Sequence, residues 1–337
     1  MMSKIGISLK TTGKSSVIVK VFQVIVVTAV CGTFTFGHVI SLIVMICNMT
    51  NIIILPFILV YLFWFLVYDF KRSSKGGRRW ETLRKLSSWN YYRDYFPVRL
   101  VKTTQLSPEK NYIFGYHPHG VMCSGAWCNF ATEATGFGKL FPGLTPHLLT
   151  LKLLHWFPFY RDLLSAFGIC DVSKESIVHI LSKSGGGNVA IIVVGGAAES
   201  LDAHPGLYRL TLKNRKGFVK MAIRTGASLV PVMSFGENDL FNQPKNPPGS
   251  RLRQWQNSIQ KIISFAPVMF FGRLFVLPHQ KPINTIVGAP IHVKKKKNPS
   301  LHQVNRIHKK YISSLKNIFN HHKTKYGENE STPLIID

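Results

Sequence analysis

From Val21 to Tyr68 the chain carries no Lys, Arg, Asp or Glu, a run longer than the roughly 20 residues that one bilayer crossing takes. No core helix of a water-soluble domain needs such a length, so the stretch is expected to insert in a membrane. Its one polar cluster, Asn48-Met49-Thr50-Asn51, divides it into segments near 21–46 and 52–68, which predicts a transmembrane hairpin within residues 21–70. Lys4, Lys10, Lys14 and Lys20 precede the first segment, and Lys71, Arg72, Lys75, Arg78 and Arg79 follow the second. Basic flanks prefer the cytosolic side, which places residues 1–20 and everything after 70 there. A single long or re-entrant span is the alternative. A cleaved signal peptide fits poorly, because the apolar run is too long and no small-residue cleavage site follows it.

The balance of 42 Lys and Arg against 15 Asp and Glu gives a net charge of +27, which calls for a polyanionic neighbour such as nucleic acid, anionic lipid or a phosphorylated substrate. Residues 71–110 form a basic, aromatic connector with Gly76-Gly77-Arg78-Arg79-Trp80 and Tyr91-Tyr92-Arg93-Asp94-Tyr95-Phe96-Pro97. Beside a membrane segment these side chains belong among lipid headgroups rather than stacked on bases. Membrane lipid is therefore the expected partner, and nucleic acid is not. The five scattered cysteines do not read as a disulfide framework.

Residues 111–325 read as one α/β domain, with 326–337 as a tail. Tyr112 to Tyr116 is an apolar, aromatic run that stops at His117-Pro118-His119-Gly120, as a buried strand does where it delivers polar groups to a sheet edge. Helical spacing follows at 124–135, 159–167 and 173–182, with Ser173 as a cap. Val189 to Val194 and Leu229 to Phe235 are apolar on both faces, the signature of strands inside a parallel sheet covered by helices. The first ends in Gly195-Gly196-Ala197-Ala198-Glu199 and the second in Gly236-Glu237-Asn238-Asp239. Such tips gather at the carboxyl edge of an open α/β sheet, where ligands bind. Helices to about 225, near 251–264 and from 301 onward, and strands near 268–271 and 283–287, complete the expectation.

Either histidine is a candidate general base, since imidazole accepts a proton near neutrality. Zinc is disfavoured, because His117, His119, Cys123 and Cys128 reproduce neither a C-x-x-C knuckle nor an H-E-x-x-H helix. A Cys123 nucleophile served by His119 is conceivable. No G-x-S-x-G elbow is present, and the Gly185 to Gly187 run lacks the Lys-Ser/Thr ending of a P-loop. What remains is a base, an acid, small-residue turns and the cationic strip Lys213-Asn214-Arg215-Lys216, a set suited to transfer between a lipid alcohol and an anionic donor.

His117-Pro118-His119-Gly120, with Tyr95-Phe96-Pro97, Ala131-Thr132-Glu133-Ala134-Thr135-Gly136-Phe137, Phe141-Pro142-Gly143, Val193-Val194-Gly195-Gly196-Ala197, Arg215-Lys216-Gly217-Phe218 and Phe235-Gly236-Glu237-Asn238, resembles the diacylglycerol acyltransferase 2 family. Within it the chain is more similar to the monoacylglycerol acyltransferases, in Leu201-Asp202-Ala203-His204-Pro205-Gly206 and Gly236-Glu237-Asn238-Asp239-Leu240-Phe241. The resemblance implies a glycerolipid-acyltransferase-like domain with a mostly parallel sheet, in an endoplasmic reticulum enzyme that moves a fatty acyl group from acyl-coenzyme A to a glyceride hydroxyl. Acyl-coenzyme A is then a co-substrate, no cofactor is expected, and a homo-oligomer stays open. His119 is expected as the base, with His117 beside it. Glu133 is expected to orient the base, with Glu199 and Glu237 in reserve. Backbone amides near Gly120 or Gly195-Gly196 are expected to hold the oxyanion, Lys213, Arg215 and Lys216 the coenzyme phosphates, and Asn238 to line the site. Diacylglycerol, a fatty alcohol or retinol are alternative acceptors, and an inactive membrane-tethered lipid-binding protein is the non-enzymatic alternative. One departure is a short stretch, 274–281, where relatives carry a longer Gly-Leu-x-Pro-Tyr-containing segment.

Overall fold

A computed structural model describes residues 17–183, 185–263, 265–274 and 277–337. Lys4, Lys10 and Lys14 lie outside the described residues, as does part of the 274–281 stretch. Seven strands form one sheet: β1 Arg99–Lys102, β2 Tyr112–His117, β3 Thr145–Thr150, β4 Cys170–Asp171, β5 Asn188–Val193, β7 Ser228–Phe235 and β8 Asn284–Val287. A separate parallel pair joins β6 Tyr208–Leu210 to β9 Leu334–Ile336. The sheet runs β1-β8-β7-β2-β5-β3-β4. Its pairs are parallel except β7 with β8, so the mostly parallel α/β expectation holds. Edge strand β1 comes from the stretch assigned to the connector.

All six residues of β2 are buried, because the strand sits at the centre with β5 on one side and β7 on the other. Side chains alternate between the two faces along a strand. Tyr112, Phe114 and Tyr116 enter one core with Trp127 and Phe130, while Ile113 enters a second core with Phe218 and Tyr311. The helices Lys174–Leu181, Gly217–Thr225 and Leu301–His322 supply the second core. Ser173 caps the first of them by accepting the Ser176 N–H at 3.1 Å, as its sequence position predicts.

Two expected elements differ. Residues 124–135 give a short helix, Ser124–Ala126, continuing as a wide turn over Trp127–Ala131. It stops there because the buried Arg84 guanidinium donates to the carbonyls of Ala131 at 2.7 Å and Phe130 at 3.1 Å, taking the acceptors that another turn would need. The strand near 268–271 reduces to a single rung between Asn242 and Phe271, since Pro244, which would stand opposite Met269 in the next hydrogen-bonded pair, has no N–H to extend the ladder.

Among the described residues one helix, Val17–Asn48, is long and apolar enough to cross a membrane. At 1.5 Å per residue its 32 residues reach about 48 Å, more than a hydrocarbon core of about 30 Å. Val27, Val30 and Cys31 are buried, and Phe34 packs edge-on against Trp127 at 5.9 Å, so this face adjoins the first core. The second apolar segment is shorter: a helix, Leu55–Trp64, with Pro56 in its first turn, passes into a wide turn at Phe65–Asp69. Among the described residues one helix is thus a candidate membrane anchor, and the second segment of the expected hairpin forms a shorter apolar helix.

Its junction with the domain is ionic. Arg161, with no exposed surface, donates to both the Asp69 carboxylate and, at 2.7 Å, the Asp69 carbonyl. Arg78 bridges Asp69 at 2.9 Å and also meets Asp162. Tyr61 of the second apolar helix donates to Asp162 at 2.5 Å.

Candidate active site

The carboxyl ends of β2, β5 and β7 converge. Beyond β2 the chain turns through His119 and Gly120. Gly120 has φ +63°, and a Cβ there would lie 2.6 Å from Cγ of Glu237, so glycine is required for the turn to nest on the tip of β7. Glu199, following β5, accepts the His119 backbone N–H at 3.1 Å and the Thr211 N–H at 3.2 Å. A Cβ on Gly195 would meet this carboxylate at 2.1 Å. Glu237 accepts from the Tyr116 hydroxyl at 2.7 Å and the Gly125 N–H at 3.0 Å.

The two histidines point into different environments. His117 is buried, with Nε2 3.0 Å from the Tyr311 hydroxyl. That hydroxyl has one proton and gives it to the Gly115 carbonyl at 3.0 Å, so His117 Nε2–H is the donor to Tyr311. Burial pushes the His117 pKa down to about 3, which leaves it neutral and pins β2 to the Leu301–His322 helix. His119 is partly exposed, and its Nδ1 lies 2.9 Å from the Gly120 carbonyl. A carbonyl only accepts, so Nδ1 carries the proton and Nε2 holds a lone pair. Desolvation lowers the His119 pKa, and the Gly120 carbonyl partly offsets this. His119 is therefore neutral at pH 7.

Glu133 stands elsewhere. Its carboxylate accepts the Gly138 N–H at 3.0 Å and lies 3.6 Å from Arg84, so it supports the Trp127–Ala131 turn. The carboxyls at the histidine turn are Glu199 and Glu237, and neither orients the imidazole. Backbone does that, through Gly120, an arrangement that side-chain patterns do not encode. Sequence reasoning also missed Tyr116 and Tyr311; the apolar context of Tyr116 hid its hydroxyl, and Tyr311 lies in the middle of the helix expected from 301 onward.

Lys213 and Arg215 are exposed just before the Gly217–Thr225 helix, with Lys216 at its start. The positive charge of Arg215 acts on the Glu199 carboxyl. Asn238 is buried and donates to the Leu207 carbonyl at 2.6 Å, bracing the loop before β6. Gly195 has a right-handed helical backbone and Gly196 a left-handed one, φ +59°, the pairing that forms an anion-binding concavity of backbone amides. Burial raises the Cys123 thiol well above its ordinary value, which argues against a thiolate nucleophile. Among the described residues no group of three His, Cys, Asp or Glu side chains is placed to hold a metal.

Burial raises Glu199 to about 8 and Glu237 to about 7. For both, the folded state keeps a proton that the unfolded chain releases near the ordinary value of 4.5. Their contribution to stability is complete below that value and is lost as pH rises to about 8. The stability of the solubilised chain, read by thermal melting, is accordingly expected to fall between pH 5 and pH 8.5, and Glu199→Gln should remove on the order of a few kcal/mol of that fall. An unchanged slope in the variant would rule out a buried, protonated Glu199.

The sequence profile of the diacylglycerol acyltransferase family matches residues 45–337. The chain is 47% identical over 329 residues to diacylglycerol O-acyltransferase 2 of Danio rerio, covering 95% of this chain and 90% of that one. It is 47% identical over 299 residues to 2-acylglycerol O-acyltransferase 1 of Bos taurus, covering 84% and 89%. Among solved structures, the 1-acyl-sn-glycerophosphate acyltransferase of Thermotoga maritima gives a TM-score of 0.39 at 12% identity, covering 89% of this chain and 96% of that one. With its family profile matched from the end of the first apolar helix onward, the chain belongs to the diacylglycerol acyltransferase family of O-acyltransferases.

Proposed function

We propose that this enzyme transfers a fatty acyl group from acyl-coenzyme A to the hydroxyl of a monoacylglycerol, with His119 Nε2 as general base. The observation that carries the reading is the tautomer: the Gly120 carbonyl holds the Nδ1 proton, so the lone pair is on Nε2. An alcohol is a weak nucleophile until a base takes its proton during attack on the thioester. As the C–O bond forms, the carbonyl oxygen gains the charge, and the Gly195–Gly196 amides are the donors assigned to it. Collapse expels the coenzyme thiolate, which takes up the proton held by His119. No acyl-enzyme is needed. Lys213, Arg215 and Lys216 are the residues assigned to the coenzyme phosphates, because ammonium and guanidinium groups bind phosphate well. Val121, Met122 and Cys123, partly buried apolar residues directly after the turn, suit a lipid acceptor. The reading includes an endoplasmic reticulum location, a cytosol-facing domain, and the Leu55–Asp69 segment embedded beside the first helix.

Microsomes expressing the chain, given labelled oleoyl-coenzyme A with monoacylglycerol, diacylglycerol or fatty alcohol in separate assays, should produce diacylglycerol fastest. Labelled triacylglycerol or wax ester as the main product would reassign the acceptor. No product from any of the three would favour the lipid-binding alternative.

A further inference from the structure

The amino ends of β3 and β5 face away from the histidine turn. At about 3.3 Å per residue, six-residue strands set the two edges roughly 20 Å apart. At this far edge a cavity of about 560 Å³ opens between the Arg72–Lys75 turn, the following glycines and the strand starts Thr145 and Asn188. It gathers Arg72, Lys75, Arg78, Arg79 and Lys183, and no Asp or Glu lines it. Arg78 and Arg79 are already engaged by Asp69, Asp162 and Glu81. Arg72, Lys75 and Lys183 form no ion pair among the described residues. The two elements that carry them meet closely, since a Cβ on Gly76 would lie 3.2 Å from Nζ of Lys183.

His147, from β3, also lines the cavity. It is only 3% exposed, and both its ring nitrogens lack a hydrogen-bond partner among the described residues. A buried polar group normally finds a partner, and one that does not calls for an explanation, such as a ligand. A buried imidazole in a cavity shared with three cations that form no ion pair is matched by an anion that both accepts hydrogen bonds and carries more than one negative charge. We propose that this cavity binds a dianionic phosphate group, separate from the acyl-transfer site, with Arg72, Lys75 and Lys183 neutralising the phosphate and His147 donating to it. Consistent with that, burial and the charges of Lys183 and Arg79 hold His147 down to about 3, a cost that a bound dianion would relieve. The site directly follows the apolar segment in sequence, so the phosphate has two sources, a lipid headgroup or free phosphate.

The test uses the full chain in detergent and reads its melting temperature, which rises with any ligand that binds the folded state. Inorganic phosphate and dihexanoyl phosphatidate are each expected to raise it saturably, and dihexanoyl phosphatidylcholine is not. Lys75→Ala with Lys183→Ala should weaken both titrations at least tenfold while ligand-free melting and acyl transfer stay unchanged. If that pair melts early without ligand, Arg72→Gln gives the same reading. At least tenfold tighter binding of phosphatidate than of phosphate would identify the headgroup as the source, and equal binding would identify free phosphate. The proposal is overturned if neither anion gives a saturable rise. It is also overturned if the double variant leaves the titrations unmoved, whether or not Lys213→Ala with Lys216→Ala shifts them. Coenzyme A as the sole stabilising ligand would overturn it as well.

Discussion

His119→Ala is expected to lower acyl transfer by roughly 10²–10⁴-fold, the range that a positioned general base supplies, while the chain stays membrane-bound and melts close to the parent. The small structural effect follows from geometry: the ring is partly exposed, and its hydrogen bond is to the carbonyl of its own neighbour. His117→Ala should do the reverse, costing stability through the lost Tyr311 contact and the cavity left in a fully buried site. The kcat/KM profile adds a second reading. A base with a lowered pKa stays competent to lower pH, so the acid limb should fall below the ordinary histidine value of 6.5. Retained turnover in His119→Ala, or an acid limb above 7, would remove the proposed mechanism.

Asp69→Ala is expected to cost 3–5 kcal/mol, on the order seen when one partner of a buried ion pair is removed. The magnitude comes from what remains: Arg161 has no exposed surface and would keep its charge with the carboxylate gone. Arg78 would lose one of its two acids. Replacing Asp69 and Arg161 together by apolar residues of similar volume should be milder than either single change, because no lone charge stays buried. Thermal melting of the solubilised variants measures this. A double variant as unstable as the sum of the singles would show that packing, not charge, holds the junction.

Much of this architecture was legible because burial on both faces leaves a plain mark. Val189 to Val194 and Leu229 to Phe235 read as interior parallel strands, and they are β5 and β7. Ser173 read as a cap and is one. What could not be read depends on contacts between residues far apart in the chain. The pairing of Leu334–Ile336 with Tyr208–Leu210 joins a tail to a loop. The three-residue strands are too short for a periodic signal, yet the backbone of Asp337 accepts from Leu212 and Lys213, next to Thr211 on Glu199. The position of Glu133 was obscured for a similar reason: its cationic neighbour, Arg84, comes from the stretch before the domain and is wholly buried. Hydropathy marked both apolar segments, but not that the second passes into the turn at Phe65–Asp69, whose Asp69 pairs with Arg161 far along the chain.

The hydroxyl of Tyr311 fills the space over Gly115 that a Cβ would occupy, 2.0 Å from where that atom would stand, and the two residues are separated by 196 positions. At 5–20 residues per second a ribosome takes roughly 10–40 s to make that interval. Throughout it the central strand is already synthesised while the helix that seals one side of it does not yet exist. Nascent chains stalled short of that helix therefore present an unsealed apolar surface, and quality control will meet this enzyme as an incomplete sheet before it meets a folded one.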